Sequence, residues 1–253
     1  ALGAPLVEVS RADLDATLEA LGERGLLELD RLHQRAFIHP IVRRYLNENA
    51  VMLGEEWDRL HAVFFVAKAQ DYQHFPLHRW PEIDRDWGNI FVGADWCANR
   101  VERIWQRSAL EMVADPALDI DAIASHPDVP STYSDLQLAR DYALALADYA
   151  FWRHPPGSVR WLAVGAVASL AMQDMRDYAW LIMNIGRQMF FMGRLTEAIQ
   201  WFERARPIFD ERDLLTELAY VHTDLGTTYR ILDEPRRALD HFHAAFDCAA
   251  QLG

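Results

Sequence analysis

Two stretches in the last third of the chain repeat the same small and bulky positions forty residues apart. The pairs that share this offset are Gly186 and Gly226, Ala198 and Ala238, Phe202 and Phe242, and Ala205 and Ala245. Small residues let two antiparallel helices approach closely, and a large side chain on the next helix fills the groove between them. The pattern therefore predicts helix pairs that stack into an array.

The turn inside each predicted helix pair carries its own signals. Gly193 falls between the two helices, where a left-handed residue is useful, and its counterpart Asp233 tolerates that conformation better than most residues. Pro235 then lies near the start of the next helix, where a missing N–H has little effect.

A more degenerate unit precedes these two. Trp161 stands forty residues before Trp201, and its unit has a first helix predicted over about Leu136–Trp152, ended by His154-Pro155-Pro156-Gly157. We expect the array to occupy residues 126–253. We also expect further repeats to follow in a longer protein, because an array without a polar end exposes an apolar face.

These landmarks resemble the tetratricopeptide repeat, in its longer form, although Ile182 and His222 stand where the first helix of the family has an aromatic residue. The resemblance implies a mainly α fold, an α-α superhelix whose first helices form a concave face. Periodicity predicts that the exposed polar residues of that face are Asn184, Arg187, Gln188, Asp224, Thr227 and Thr228. Such side chains suit contacts with a peptide or partner loop, and an ordinary solvated surface is the other interpretation.

Residues 1–52 have a different pattern. A helix is predicted after Ser10, with a leucine stripe and a stop at Gly25. Leu26–Leu29 and Ala36–Ile38 read as two short strands around a polar turn, and His39-Pro40 opens another helix. This order is typical of part of a winged-helix domain.

The segments 18–27 and 37–43, together with Asp86-Trp87-Gly88-Asn89-Ile90, resemble the region that follows the nucleotide-binding domain in STAND-class signal-transduction ATPases of bacteria. The resemblance implies a nucleotide-binding domain upstream of Ala1. ATP or ADP with Mg²⁺ is expected only there, and no cofactor in this part, because it has no phosphate-binding loop. His39 either contacts the nucleotide in the full-length protein or only caps the turn after the wing.

An aromatic-rich helical arm is predicted over residues 53–125, where Pro76 and Pro81 are expected to break the helical pattern. Residues 125–130 read as a linker to the array. Within the array, Trp152, Trp161, Trp180 and Trp201 are candidates for lining a groove, although large aromatic residues of such arrays mostly belong to the core.

The net charge and the cysteine content limit the classes of function that the chain can have. The formal charge of −13 disfavours binding of nucleic acid by the whole chain. Cys97 and Cys248 are expected to be buried free thiols of a cytoplasmic protein. No segment is apolar enough to span a membrane, and no signal peptide is recognisable at the first residue.

Few residues suggest catalysis or a metal. His241 and His243 are two apart on a predicted helix and point to different sides, so they make poor joint ligands. The acidic residues Asp84, Asp86 and Asp95 lie near tryptophans in the sequence. They suit either a glycosidase-like carboxylate pair or ordinary acids that cap helices or face solvent, and we expect the ordinary role.

The sequence thus predicts a non-enzymatic region of a STAND-type ATPase that senses a signal through its repeats. The expected partner is a protein, a peptide or the upstream ATPase domain. One alternative is a transcriptional regulator whose winged helix reads DNA and whose repeats sense an inducer. Another is a plain scaffold.

Overall fold

The computed structural model describes residues 11–30, 35–38, 55–73 and 75–252. The described residues before residue 55 belong to one compact unit, and those from Glu55 onward belong to a second. The chain is mainly helical, as the sequence predicts.

The first unit contains one helix and one β-hairpin among its described residues. Their bounds are Arg11–Glu23 for α1, Leu27–Asp30 for β1 and Arg35–Ile38 for β2. Gly25 has a φ of 68°, so a residue with no Cβ ends the helix without strain. The strands pair antiparallel, with Leu27 opposite Ile38. The predicted helix and hairpin are confirmed, whereas His39 and the helix predicted after it lie outside the described residues.

The second unit is built from ten helices within the described residues. They are α2 Glu55–Tyr72, α3 Trp80–Trp105, α4 Ala109–Ala114, α5 Ile120–Ala124, α6 Val129–Arg153, α7 Ser158–Ala171, α8 Met175–Phe191, α9 Leu195–Asp210, α10 Leu215–Ile231 and α11 Pro235–Leu252, with a 3₁₀ turn at Leu77–Arg79. Consecutive helices from α6 to α11 pack against one another.

The forty-residue repeat is present in the helices themselves. Helices α8 and α10 begin and end at positions forty residues apart, and so do the starts of α9 and α11. A Cβ added to Gly186 would lie 2.7 Å from Cε1 of Phe202, and one added to Gly226 would lie 2.7 Å from Cε1 of Phe242. In each pair, therefore, the second helix places a phenyl ring on the bare backbone of the first.

The turns between these helices use left-handed residues. Gly193 and Asp233, both predicted in this conformation, have φ values of 75° and 60°. Gln173 and Asp213 do the same in the turns before α8 and α10, with φ values of 60° and 52°. A left-handed residue after a helix ends it and lets the chain reverse within a short turn, so that the next helix runs antiparallel to the first.

The predicted arm and array are not separated by a break in packing. Val129, in the segment predicted as a linker, is buried and begins α6, which packs on α2 and α3 as well as on α7. Pro81 does not break a helix but occupies the first turn of α3, where its missing N–H has no helical partner to lose. Residues 55–73 and 75–252 therefore form one unit, instead of the two domains expected on either side of residue 126.

The interior where α2, α3 and α6 meet is closed by Tyr142. Its hydroxyl donates a hydrogen bond of 2.8 Å to the carbonyl oxygen of Ala62, and a Cβ added to Gly93 would collide with that hydroxyl at 2.1 Å. Nearby, Cys97 is a buried free thiol, as is Cys248 in α11, which confirms the prediction for both. Burial raises the pKa of Cys97 to about 12, so its reactive thiolate is absent at neutral pH.

Candidate binding groove

A groove of about 490 Å³ runs across the first helices of the successive pairs, α6, α8 and α10, with α2 beside them. Its polar and aromatic lining consists of Gln70, Gln73, Asp141, Arg176, Asp177, Trp180, Thr216, Glu217 and Tyr220. The lining positions on α8 and on α10 correspond through the forty-residue offset. The stacking of equivalent helices therefore places equivalent side chains in one continuous surface.

Ion pairs organise the charged part of the groove. The guanidinium of Arg176 lies 2.6 Å from Glu217 Oε1, which ties α8 to α10. Arg140 lies 3.0 Å from Asp141, whereas its distances to Asp174 and Asp177 are 4.0 and 3.8 Å. The two last contacts are too long for a hydrogen bond and act only through charge.

Asp177 occupies an unfavourable position for a carboxylate. Burial and the neighbouring Asp174 carboxylate raise its pKa above the usual range, and Arg140 and Arg176 offset this only in part. Asp174 caps the start of α8 by accepting a hydrogen bond of 3.1 Å from the backbone N–H of Asp177. Helix capping thus holds two carboxylates together at the edge of the groove.

Beside the groove, Arg187 is enclosed by rings and one carboxylate. Its guanidinium carbon lies 5.2 Å from the ring centre of Phe151, 5.7 Å from that of Trp180 and 5.8 Å from that of Tyr220. Its Nε lies 2.7 Å from Asp224 Oδ2. Burial raises the pKa of Asp224, and Arg187 acts in the opposite direction. Trp180 and Tyr220 belong to both this cluster and the groove.

Three of the predicted site residues are buried, which corrects their expected exposure. Asn184 donates to the carbonyl oxygen of Trp180 at 2.9 Å, and Gln188 donates to that of Ala150 at 3.0 Å. Thr228 donates to the carbonyl oxygen of Asp224 at 2.7 Å and is fully buried. Backbone carbonyl oxygens therefore accept the hydrogen bonds that these side chains donate.

The other predicted residues have mixed positions. Arg187 and Asp224 are brought together, but as partners of each other, and Thr227 is half-buried. His39 lies outside the described residues. The expected role of these positions in partner binding stays a prediction.

Sequence reasoning missed the residues that line the groove. Arg176, Glu217 and Tyr220 stand one or more helical turns before the predicted set. Trp180 and Tyr220 are forty residues apart, so the offset that aligned the glycines marks them too. Of the four tryptophans considered for a groove, Trp180 alone lines it; two of the others are buried and Trp152 is 60 % exposed.

The acids suggested as a carboxylate pair are engaged in structural contacts. Asp84 accepts from Tyr149 and Arg153 at 2.7 and 3.0 Å, and Asp86 accepts from Tyr72 and Lys68. Asp95 pairs with Arg160. Each carboxylate thus has side-chain partners of its own, and Asp86 is buried, so these acids form ion pairs and hydrogen bonds instead of the expected helix caps and solvated positions.

His241, considered as a metal ligand with His243, instead faces His222 of the neighbouring helix. Their Nδ1 atoms are 3.0 Å apart, and the ring of Tyr229 stacks on His241. Among the residues that the structure describes, no three His, Cys, Asp or Glu side chains converge as metal ligands. No helix in the described ranges has the length and apolar character that crossing a bilayer needs.

Comparison with known proteins adds no family assignment to the geometry described above. No family model matches the chain, and no curated protein is significantly similar to it.

Proposed function

We propose that this chain is the non-catalytic sensing region of a STAND-type regulatory ATPase, and that its groove receives a segment of a partner protein. The groove itself carries this proposal. Equivalent positions of α8 and α10 line it beside α6 and the end of α2, and exposed polar and aromatic side chains among the lining include Gln73, Thr216 and Tyr220. An elongated surface built from repeated helices suits an extended chain that contacts each helix in turn.

Binding becomes a signal if the groove differs between two states of the whole protein. A partner that binds one state more tightly shifts the population toward it by that difference in affinity. The link between Arg176 on α8 and Glu217 on α10 crosses the groove wall, so a change in the stacking of these helices changes the site. The helix and hairpin of the first unit, in the order of a wing, support the assignment to this class of ATPase.

The binding part of the proposal is tested with the 253-residue chain on an array of peptides of varied composition. Thr216→Trp places a large ring in the groove at an exposed position, and Gln200→Trp adds the same ring on α9 at an exposed position away from the groove lining. We expect peptides that bind the wild type and Gln200→Trp but not Thr216→Trp. Retention of every bound peptide by Thr216→Trp would contradict the proposal.

The ATPase part is tested separately by the reading frame upstream of Ala1. We expect it to encode a Gly-rich phosphate-binding loop that ends in Lys-Ser or Lys-Thr, whose backbone N–H groups cradle the phosphates of a nucleotide. A frame without such a loop overturns this part and leaves the groove as the binding site of a different kind of protein.

A further inference from the structure

The groove has more negative than positive charge at its edge. Four carboxylates, those of Asp141, Asp174, Asp177 and Glu217, face two guanidinium groups, those of Arg140 and Arg176. Arg176 is held by Glu217 at 2.6 Å, and Arg140 has its closest contact with Asp141. Asp177 is therefore left with distant cations and a nearby carboxylate, and a further cation would offset that imbalance.

The chain itself shows which side chain suits the adjoining aromatic surface. The guanidinium of Arg187 lies within 6 Å of the ring centres of Trp180 and Tyr220, the range in which a cation is attracted by an aromatic ring. Tyr220 is nevertheless 48 % exposed, so part of its ring remains available to a second group from outside. Carboxylates and aromatic rings together form a surface that favours a cation.

We propose that the partner segment carries an arginine or lysine side chain, which binds in the groove against Asp177 and the ring of Tyr220. This inference rests on the proposed function and specifies the class of partner. An acidic segment, or the phosphates of a nucleic acid, would meet four carboxylates at the same place and be repelled. The net charge of −13 favours a basic partner at longer range as well.

The test measures fluorescence anisotropy of labelled peptides that share one length and one Gly-Ser framework and carry arginine, glutamine or glutamate at the same positions. We expect the arginine peptide to bind the 253-residue chain most tightly. Asp177→Asn and Tyr220→Leu should each weaken it about two- to fivefold, the size of one exposed ion pair or one exposed cation–π contact. Asp177→Asn should also leave the glutamine peptide unaffected.

Glu197→Gln is the matched control, because it removes the same charge from α9, outside the groove lining. Equal weakening by Glu197→Gln and Asp177→Asn would show general attraction by the net charge and overturn the inference. Binding of the glutamate peptide that Thr216→Trp abolishes would overturn the inference and leave the proposed function in place. If no peptide of any charge binds in a manner sensitive to Thr216→Trp, both fail.

Discussion

The bare backbone at Gly186 is where one residue matters most for packing. A Cβ there would lie within 3.0 Å of Phe202, whose ring is fully buried. We expect Gly186→Ala to lower the free energy of unfolding by about 1–3 kcal/mol, as overpacking does in other cores. Urea denaturation measures the change.

Gly88 offers the matched control for that substitution. It lies inside α3 with open space around its Cα, so a Cβ meets no atom within 4 Å. Gly88→Ala should therefore stabilise the protein by about 0.5–1 kcal/mol, because alanine favours the helix. Equal effects of the two substitutions would show that Phe202 does not limit the contact. Phe202→Leu combined with Gly186→Ala should recover part of the loss.

The pair of Arg187 and Asp224 makes a second prediction. Arg187→Met leaves the partly buried carboxylate of Asp224, whose side chain is 22 % exposed, without its cation and should destabilise the protein by about 2 kcal/mol at neutral pH. The pKa of Asp224, already raised by burial, rises further in this variant. A raised folded-state pKa stabilises at low pH and loses that stability as pH rises, so the deficit should grow between about pH 4.5 and about pH 7.5.

Asp224→Asn distinguishes this charge effect from lost packing. In the double variant Arg187→Met/Asp224→Asn no carboxylate remains to be desolvated, so the growth of the deficit with pH should disappear. A deficit that is independent of pH in the single variant would contradict the assignment and point to the rings around Arg187.

At single residues, periodicity predicts which face of a helix a residue lies on, but not whether a polar side chain is exposed or hydrogen-bonded in the interior. It placed Asn184, Gln188 and Thr228 on the correct helices, yet each donates to a backbone carbonyl in the interior. Asn184 and Thr228 bond to the carbonyl four residues earlier in their own helix, as short polar side chains do, whereas Gln188 reaches the backbone of α6. Glycine and its facing phenylalanine were predictable because steric complementarity recurs at a fixed interval.

At the scale of elements, the contact between α10 and α11 contains a pair of imidazoles. The Nδ1 atoms of His222 and His241 are 3.0 Å apart, a distance at which only one proton fits between them. Burial lowers the pKa of both rings below 6.5; His241 lowers that of His222 further. The charged groups facing them are Arg206, Glu203 and Asp210 of α9 and Asp240 of α11.

These lowered pKa values predict that acid weakens the last helix pair. Because the unfolded rings bind protons at higher pH than the folded ones, stability is lost as pH falls through and below 6.5. Between about pH 7.5 and about pH 5.5, thermal unfolding should show a loss of a few tenths to about 1 kcal/mol, limited by the partial exposure of the rings. His222→Gln/His241→Gln should remove this component.

His243→Gln provides the control on the same helix, since His243 is exposed on α11. It should retain the full pH dependence of the wild type. If His243→Gln and the double variant respond equally to acid, the pair does not contribute, and the pH dependence belongs to other groups.

The elements themselves were largely predictable. Local backbone preferences of single residue types predict the left-handed turns at Gly193 and Asp233 and the helix start at Pro235. Pro81 was harder, because proline both breaks a helix interior and starts a helix, and only the helix that follows distinguishes the two. The His222–His241 contact depends on how two helices are rotated about their axes, which periodicity does not fix.

At the scale of the whole molecule, the unity of residues 55–73 and 75–252 rests on contacts distant in sequence. Asp135 of α6 lies 2.7 Å from Arg100 of α3, and Arg204 of α9 donates to the carbonyl oxygen of Val113. Such pairs join a predicted arm to a predicted array, and no pattern in either segment reveals them. The prolines near residue 130 suggested a linker, but here they mark the start of α6. Proline is as common at a helix start as in a flexible joint, so composition does not distinguish the two.

Arg160 of α7 makes another of these connections. It pairs with Asp95, lies 2.8 Å from Asn99 Oδ1 and lies 2.6 Å from Glu102 Oε2, all on α3. Arg160→Met should lower the free energy of unfolding by about 1 kcal/mol, because it leaves three acceptors, of which Glu102 is the most buried, without their donor, and solvent screens the rest.

Arg194→Met is the matched control for this link between helices, since Arg194 is exposed and, among the described residues, pairs with Glu197 one turn away. It should leave the unfolding transition unchanged. If Arg160 joins α3 to α7 as one cooperative unit, its loss should also let α3 exchange its amide hydrogens faster than α10 does, which hydrogen-exchange mass spectrometry resolves helix by helix. Equal acceleration in α3 and α10 would mean that Arg160 stabilises the molecule globally instead of connecting its two halves.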